Sequence, residues 1–442
     1  MVSGCARPRR PVPVELIPKT ELSGFPGVRG WWEKPEAIEA SLRTGLQEWQ
    51  RQQAARTDAP SNDNDNGNAA DDTCNILCLS GGGPGGAFGA GILSGWTESG
   101  KRPQFWLVTG ISTGSMIAPF AFLGPEYDDV LHRLCASVRT RDIYRRRPLT
   151  LVAFGASSLA DSTPLAQLIK ESVNDAVVAA VAREHAKGRR LLIGTTNLDA
   201  GRLVVWDMGA IAASGRPDAP ALFRKVLLAS SSIPIAFPPQ FFEVRADGRN
   251  FDELHVDGGV HSEIFLYGVA MDARPLWRET LPPGAPRPRL YIIRNGYLHT
   301  PAAATRTDIL SIAERTVVSV LDAKATGDVY RLHALALRDG LDFHLAYLPE
   351  DFTVDKKESF DPHASLLLFQ KGQSLAREGY PWLKAPPGLN PSDPYQPLLL
   401  GPLSPPEHTA PPRLMSSRGE SEQETFEKVI GKQLSPDVTP TP

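Results

Sequence analysis

The chain has 442 residues, of which 41% are hydrophobic and 22% charged, and its formal net charge is -3. This composition is typical of a globular protein that is long enough to bury a large core. The nearly balanced charge gives no global sign of nucleic-acid binding, and the 4 cysteines are too few and too scattered for a disulfide framework or a zinc site. We therefore expect no nucleic-acid partner and no structural metal.

The first residues contain a candidate lipid-attachment signal. Val2-Ser3-Gly4-Cys5 resembles the cleavage box of bacterial lipoproteins, in which small residues precede a cysteine that becomes lipidated. One interpretation is that Cys5 is the lipid-bearing first residue of a mature protein on a bacterial membrane, facing the envelope. The other is that the match arises by chance and that the protein is soluble and visits lipid surfaces.

Composition divides the chain into four parts. These parts are residues 1–54, 55–72, 73–384 and 385–442. The first is an N-terminal arm in which Ile38, Leu42 and Leu46, at a spacing of four, predict a helix over residues 34–53. The second holds no large apolar side chain and many Asn and Asp residues, which predicts a flexible linker and a domain boundary. The fourth is rich in proline and polar residues, which predicts a mostly disordered tail with one short helical possibility at 421–434.

The main body alternates short apolar runs with helical stretches. The predicted strands are Asn75 to Leu79, Phe105 to Val108, Arg190 to Thr195, Leu203 to Trp206 and Leu290 to Arg294. The predicted helices are Ala87 to Glu98, Thr113 to Leu123, Asp308 to Thr326 and Pro362 to Gly379. This alternation predicts an α/β fold with a central, mainly parallel sheet between layers of helices.

A glycine-rich segment joins the first predicted strand of the body to its first helix. In the run Gly81-Gly82-Gly83-Pro84-Gly85-Gly86, backbone N–H groups can point into open space at a helix N-terminus, which favours a bound phosphate or a transient oxyanion. The spacing of Gly81, Gly83 and Gly86 also matches the dinucleotide fingerprint. However, a dinucleotide site requires an acidic residue at the end of the second strand, and that strand leads instead into Thr109 and Gly110.

The second strand is followed by a pentapeptide with the pattern of a nucleophile elbow. Gly110-Ile111-Ser112-Thr113-Gly114 lies between an apolar run and a helix. A sharp turn from strand to helix tolerates only small neighbours and exposes the serine hydroxyl at the helix N-terminus. The pattern therefore predicts that Ser112 is a nucleophile.

A serine nucleophile needs a base that accepts its proton. Asp257 ends a short extended run and is followed by Gly258 and Gly259, which allow the chain to approach another segment closely. An Asp-Gly-Gly triplet alone predicts only a turn. Together with the glycine-rich segment and the elbow, it makes Asp257 the best candidate for the base.

These motifs, in this order, resemble the signatures of the patatin-like phospholipase family. The matching segments are Gly81 to Gly86, Gly110 to Gly114, Ala229 to Pro239 and Asp257 to Gly259. The resemblance spans roughly Cys74 to Gly259. It implies a three-layer α/β/α sandwich and a Ser112/Asp257 dyad without histidine. It also implies activity on acyl esters of lipids at a membrane surface, with no cofactor.

The resemblance implies an oxyanion hole formed by the backbone N–H groups of Gly82, Gly83 and Gly85. Family members often carry Arg or Lys at the position of Gly85, so this chain lacks a cation there. Its absence puts in doubt a preference for substrates with a phosphate near the scissile ester. A neutral lipid or a simple ester is therefore an open possibility, and the sequence does not define the oligomeric state.

Two other functions stay open at the level of sequence. The first is an esterase with a Ser-Asp-His triad, in which His255 or His261 supplies the base. A histidine only four residues after the acid is too close for the usual arrangement, in which the base comes from a separate loop. The second is a module that binds a nucleotide or a lipid through the glycine-rich loop without catalysis. The presence of both Ser112 and Asp257 argues against it.

One basic cluster interrupts the otherwise mixed charge pattern. It consists of Arg139, Arg141, Arg145, Arg146 and Arg147. Such a cluster is either a solvated loop or a contact for lipid phosphates and an anionic membrane surface.

Overall fold

The described part of the chain includes the arm and the main body but neither terminus. A computed structural model describes residues 9–57 and 73–389, except 149, 151–155, 269, 300, 301, 303 and 356. Cys5, the predicted linker from residue 58 onward and the tail from residue 390 onward lie outside the described residues. The lipidation proposed at Cys5 and the helix predicted at 421–434 therefore stay predictions.

The strands of the described residues form a 10-stranded sheet and a separate two-stranded one. The strands are β1 (Glu21–Leu22), β2 (Arg29–Trp31), β3 (Asn75–Leu79), β4 (Leu107–Gly110), β5 (Arg145–Arg146), β6 (Ala160–Asp161), β7 (Arg190–Asn197), β8 (Arg202–Asp207), β9 (Gln240–Ala246), β10 (Arg249–Asp257), β11 (Arg289–Arg294) and β12 (Asp342–Tyr347). β5 pairs with β6, and the other strands belong to the large sheet.

Helices flank the sheet and connect most of its strands. They are α1 (Glu36–Thr57), α2 (Gly86–Glu98), α3 (Thr113–Leu123), α4 (Asp128–Ala136), α5 (Thr140–Ile143), α6 (Thr163–Ser172), α7 (Asp175–Ala186), α8 (Met208–Ala212), α9 (Ala219–Ser230), α10 (Arg274–Thr280), α11 (Ile309–Asp339) and α12 (Pro362–Arg377). None of these helices is both long and apolar enough to cross a membrane.

The centre of the large sheet is parallel. β7, β4, β3, β11 and β12 pair in this order, all in parallel. Antiparallel strands extend it beyond β7. Along β3, Leu77 and Leu79 pack into one hydrophobic core, whereas Ile76 and Cys78 pack into a second. Since alternate residues of a strand point to opposite faces, the sheet lies between two cores covered by helices. The predicted α/β sandwich is confirmed.

The N-terminal arm is part of the sheet. β1 pairs with β9 and β2 pairs with β8, while Leu16, Leu22 and Phe25 are buried in the same core as the body. Met1–Asn390 form one compact unit. The domain boundary predicted from composition at residues 55–72 stays a prediction, since residues 58–72 lie outside the described residues. Helix α1 continues to Thr57, because the Gln, Ala and Arg residues at its end favour helix.

Other differences from the predictions have simple causes. The hairpin of β9 and β10 was not predicted, because its residues combine many charges with only partial alternation of apolar side chains. Helix α11 has 31 residues and extends 13 residues past the predicted end at Thr326, to Asp339, where Gly340 adopts a left-handed conformation with a φ of 73°. A glycine in this conformation is a common end of a helix.

Candidate active site

The strand pairing brings Ser112 and Asp257 together. Thr195 of β7 pairs with Val204 of β8 on one edge and with Asp257 of β10 on the other. β4 also pairs with β7, through Gly110 and Ile193, and it does so on the edge opposite β8. β4 and β10 therefore share one edge of β7 and run toward each other, end to end. The residues that follow β4 meet the last residue of β10.

Ser112 has the backbone conformation of a strained turn between strand and helix. Its φ is 52° and its ψ is -123°, and helix α3 begins at the next residue. The flanking glycines are required by close contacts. A Cβ atom on Gly110 would lie 2.5 Å from the carbonyl oxygen of Gly114, and one on Gly114 would lie 2.4 Å from that of Leu79. The elbow predicted from the sequence is therefore present in the structure, with Ser112 at its turn.

One serine-rich segment holds the backbone of both residues. The N–H group of Ser112 donates to Oγ of Ser230 at 3.0 Å, and that hydroxyl donates to the carbonyl of Gly194 at 2.8 Å. Two residues further on, the carbonyl of Ser232 accepts from the N–H group of Asp257 at 2.9 Å. The segment Ala229 to Pro239, noted in the sequence for its resemblance, thus fixes the position of the elbow relative to the acid.

The carboxyl group of Asp257 is buried and only partly hydrogen-bonded. The residue is 1% exposed, Oδ1 accepts from the N–H group of Gly259 at 2.8 Å, and Oδ2 has no hydrogen-bond partner in the described part of the chain. Burial raises the pKa of Asp257 to about 7, while the nearby Ser112 hydroxyl and the Gly259 N–H group oppose this increase. A carboxyl group with this pKa can accept and return a proton near neutral pH.

The glycine-rich loop lies beside Ser112. The Thr113 hydroxyl donates to the carbonyl of Gly83 at 2.9 Å, and a Cβ atom on Gly81 would lie 3.2 Å from Cβ of Ser112. Gly82 and Gly83 have φ values of 146° and 53°, a region that favours glycine. A Cβ atom on Gly86 would lie 2.0 Å from Cγ2 of Thr113, so the start of α2 packs directly on the elbow.

The N–H groups of the loop differ in their availability. That of Gly81 donates to the carbonyl of Glu263 at 3.1 Å, and that of Gly85 donates to the carbonyl of Gly82 at 3.0 Å. Within the described residues, the N–H groups of Gly82 and Gly83 donate to no protein acceptor. The hydrogen bond of Gly85 occupies the donor that the sequence interpretation assigned to the oxyanion hole, so we retain only Gly82 and Gly83 as candidates for that role.

A buried arginine and asparagine support the loop from behind. Nη1 of Arg294 donates to the carbonyl of Gly81 at 3.1 Å, and Nη2 pairs with Asp322 at 2.7 Å. The side chain of Asn295 donates to the carbonyl of Ser80 at 2.7 Å. The sequence analysis did not identify these residues. Their only signal is that they lie at the end of a buried strand of the parallel sheet, at the same edge as the loop.

Glu263 is a second buried carboxyl group in the site, and the sequence analysis missed it. It is 4% exposed, and Oε2 has no hydrogen-bond partner among the described residues. A Cβ atom on Gly81 would lie 2.2 Å from Oε2, and one on Gly259 would lie 2.2 Å from Oε1 and 3.1 Å from Oδ1 of Asp257. Burial raises the pKa of Glu263 to about 8, and the charge of Asp257 adds to the increase, while Arg294 opposes it.

The turn after Asp257 is as tightly packed as the elbow. A Cβ atom on Gly258 would lie 2.6 Å from the carbonyl oxygen of Gly194 on β7. Because this contact is with backbone, Gly258 excludes a larger residue, whereas a Cβ atom on Gly259 would displace the carboxyl group of Glu263. The two glycines of the triplet thus permit the close approach that the sequence predicted for them.

The two histidines near Asp257 in the sequence have other partners. The ring nitrogens of His255 lie 2.8 Å from Oγ1 of Thr195 and 3.1 Å from Oε2 of Glu253. Nε2 of His261 lies 3.6 Å from Glu33, and its ring packs on Trp32. No histidine among the described residues is hydrogen-bonded to Ser112 or Asp257. The geometry therefore gives no support to the triad alternative.

An apolar cavity opens beside Ser112. Gly83 and Ser112 are among its lining residues. Most of the rest of its wall consists of apolar side chains, among them Met116, Leu134, Val138, Ile143, Leu165 and Phe237. Such a cavity matches an aliphatic chain better than a sugar or a nucleotide, because its walls offer few polar partners.

The fold and the site therefore define an α/β protein with a buried acid beside a serine at a strand-to-helix elbow. Residues 77–268 match the model of the patatin-like phospholipase family, so the chain contains a patatin-like phospholipase domain. Members of this family hydrolyse lipid acyl esters, and at the family level the domain is that of a lipid acyl hydrolase.

Two further comparisons complete this description. The chain is similar to the crystal structure of VipD from Legionella pneumophila, with 10% sequence identity over 70% of this chain and 67% of that chain and a TM-score of 0.34. No curated protein sequence matches the chain significantly.

Proposed function

We propose that the protein hydrolyses carboxylic esters of lipids through an acyl-serine intermediate, with Ser112 as the nucleophile and Asp257 as the base. The observation that carries the proposal is the meeting of β4 and β10 on one edge of β7. It sets an unpartnered, buried carboxylate oxygen next to the serine at the elbow. No histidine of the described residues is bonded to either group, so the proposed unit is a dyad.

In the acylation step, Oγ of Ser112 attacks the ester carbonyl carbon and its proton passes to the carboxylate of Asp257. The carbon–oxygen bond to the leaving group then breaks. The proton held by Asp257 passes to the departing alkoxide, which leaves as the alcohol or the lysolipid. The acyl group remains bonded to Oγ of Ser112.

In the deacylation step, a water molecule attacks the acyl carbon and gives a proton to Asp257. The bond between this carbon and Oγ breaks, the fatty acid leaves, and the proton returns to Oγ of Ser112. The dyad is then in its starting state. Each step requires Asp257 to be ionised when it accepts a proton, which its pKa of about 7 permits at neutral pH.

Backbone dipoles stabilise the negative charge that develops on the carbonyl oxygen. The N–H groups of Gly82 and Gly83, which donate to no acceptor among the described residues, are the proposed donors of the oxyanion hole. The N-termini of α2 and α3 both lie at this position, and each adds a partial positive charge. Donors fixed by the fold do not need to reorganise during the reaction.

The lining of the cavity favours a substrate with an aliphatic acyl chain. Its apolar wall can bury aliphatic carbons, each of which contributes about 0.8 kcal/mol on transfer from water. The loop carries glycine, not a cation, at position 85, so the described loop offers no charge to a phosphate near the scissile bond. The proposal therefore includes neutral lipids and simple esters as substrates.

The test is the hydrolysis of p-nitrophenyl esters of increasing chain length by wild type and three variants. Ser112→Ala and Asp257→Asn are expected to lower kcat by about a thousandfold or more, because each removes a group required in the transition state. A folded variant with both His255→Ala and His261→Ala is expected to retain activity. Circular dichroism of each variant provides the control for folding.

Three outcomes would contradict parts of the proposal. A folded but inactive histidine variant would favour the triad. An Asp257→Asn variant with wild-type kcat would remove the base from the mechanism. A wild-type protein inactive on all esters would favour a binding module instead of an enzyme.

A further inference from the structure

A cationic patch lies at the rim of the apolar cavity. Arg139, Arg141, Arg145 and Arg146 are exposed and fall between the end of α4 and the short strand β5. Buried residues of the same segment, Val138 and Ile143, line the cavity beside Ser112. The segment therefore presents charge to solvent on one side and apolar surface to the cavity on the other.

Two acidic groups in the segment and its paired strand offset part of this charge. Asp142 caps the start of α5 by accepting from the N–H group of Arg139 at 2.9 Å, and it lies 3.8 Å from Arg141. Asp161 of the neighbouring strand β6 is held mainly by hydrogen bonds from Thr163, and the charges of Arg147 and Arg145 further lower its pKa. Within this segment and its paired strand, the four exposed arginines outnumber these two acids, so the local balance of charge is positive. The neighbouring segment, which bonds to Thr140 through Phe360, adds the exposed and oppositely charged Lys357 and Glu358.

An exposed apolar residue adjoins the patch. Ile235 is 48% exposed and has a φ of 71°, which is rare and costly for a β-branched residue. Its carbonyl accepts from the N–H group of Leu159, and that of Ala236 accepts from Ala160 of β6. The chain on either side of Ile235 lines the cavity through Ile233 and Phe237. The fold thus holds an isoleucine in solvent at the mouth of the cavity.

We propose that this patch docks the protein on the surface of an anionic lipid bilayer, with the cavity mouth facing the membrane. The arginines meet lipid phosphates and Ile235 enters the apolar edge of the leaflet. An acidic protein would complement the charge, but it would not account for an isoleucine exposed at the mouth of a cavity suited to acyl chains. The inference rests on the proposed function only for the identity of the substrate, since docking itself requires no catalysis.

The binding of vesicles, measured by co-sedimentation, tests the proposal without reference to activity. The probes are vesicles of phosphatidylcholine alone and of phosphatidylcholine with 30% phosphatidylglycerol. The wild type is expected to bind the anionic vesicles, less so at high salt. The triple variant R141E/R145E/R146E is expected to bind them at least about 100-fold more weakly, because each basic residue near such a surface contributes roughly fivefold to partitioning and three such factors multiply to about 100.

A second triple variant distinguishes the loss of charge in this patch from the change in the net charge of the protein. R183E/R202E/R249E makes the same change at exposed arginines on α7, β8 and β10, elements that do not line the cavity. It is expected to retain most of the binding, and Ile235→Ser is expected to weaken binding to both kinds of vesicle. Equal losses in the two triple variants, or a wild type that binds neither kind of vesicle, would overturn the proposal.

Hydrolysis of a soluble short-chain ester separates docking from catalysis. The R141E/R145E/R146E variant is expected to keep wild-type rates on this substrate, since none of the three side chains touches Ser112 or Asp257. A folded variant that loses soluble-ester activity would show that the arginines act in the site itself and would contradict the docking role. If neither the wild type nor the variant hydrolyses the ester while vesicle binding behaves as expected, the proposed function fails and the docking surface stands.

Discussion

Glu263 is the residue on which the electrostatics of the site most depend. Its carboxyl group faces Asp257, Arg294, Asp328 and Asp322, and only the arginine favours its ionised form. Asp328 is itself engaged by the Glu263 N–H group at 2.6 Å, so a further negative charge lies close behind the site. Below its pKa of about 8, Glu263 is neutral and Asp257 can ionise alone.

We predict a bell-shaped pH profile of kcat/KM. Activity should rise through pH 7, as Asp257 loses its proton and becomes a base. It should fall above pH 8, because ionised Glu263 then adds a second negative charge beside the developing oxyanion. Glu263→Gln should keep the acid limb and lose the alkaline fall, as shown by the hydrolysis of a soluble ester from pH 5 to 10.

A structural role for Glu263 would give a different result. If the residue only fills space, Gln would leave both limbs of the profile in place. Glu263→Ala provides a further comparison, since it removes the charge and also leaves a cavity between Gly81 and Gly259. Its alkaline limb should match that of Glu263→Gln even if its stability is lower.

At the scale of elements, the elbow depends on the close approach of α3 to β3. Gly114→Ala would place a Cβ atom 2.4 Å from the carbonyl oxygen of Leu79 and 2.6 Å from that of Ser80, so the helix or the strand must shift. We expect a loss of about 1–3 kcal/mol in the free energy of unfolding and a fall of at least about tenfold in kcat. Urea unfolding and ester hydrolysis measure the two effects.

Gly327 provides the matched control. It lies in the helix α11, is exposed, and a Cβ atom there would meet no atom within 4 Å. Gly327→Ala should stabilise the protein by roughly 0.5–1 kcal/mol, because alanine loses less backbone freedom in a helix. A Gly114→Ala variant that is as stable and active as the wild type would show that the elbow tolerates a larger separation.

What the sequence could predict at this scale was mostly local. The turn at Ser112 and the glycine-rich loop were predictable, because each is a run of small residues directly after an apolar strand. The roles of Ser230, Glu263 and Arg294 were not, because they depend on contacts between segments distant in sequence. The pairing of Gly85 with Gly82 within the loop was also missed, since composition does not determine which N–H groups remain free.

At the scale of the whole molecule, the arm is attached by a buried ion pair. Nη2 of Arg29 on β2 lies 3.1 Å from Oε1 of Glu253 on β10, and the two side chains are 8% and 1% exposed. Burial alone would raise the pKa of Glu253, but the charge of Arg29 and the hydrogen bond with His255 hold it well below its usual range. The arm therefore neutralises a carboxylate on the strand that ends at Asp257.

Arg29→Ala should strongly destabilise the protein. It leaves the Glu253 charge buried without its cation, a change that typically costs 3–5 kcal/mol in the free energy of unfolding, on the order of a third of a domain's stability. The measurement is urea unfolding. Arg216→Ala, which removes a cation paired with the exposed Asp218, should leave the stability nearly unchanged.

Replacing Glu253 by the neutral Gln distinguishes the effect of the buried charge from the effect of packing by Arg29. If the cost arises from the buried charge, Glu253→Gln in the Arg29→Ala background should recover part of the lost stability. No recovery in this double variant would mean that the arginine acts mainly through its packing over the ring of Trp206, which its guanidinium carbon approaches to 5.4 Å from the centroid.

The most direct test of the central claim is covalent labelling with a fluorophosphonate, followed by mass spectrometry of the digested protein. The reagent mimics the ester and reacts only with an activated serine. The account predicts one adduct, on Ser112, absent from Ser112→Ala and formed at least about 100-fold more slowly in Asp257→Asn, with its rate unchanged by the histidine replacements. An adduct on another serine, or equal labelling rates in wild type and Asp257→Asn, would contradict the proposed dyad.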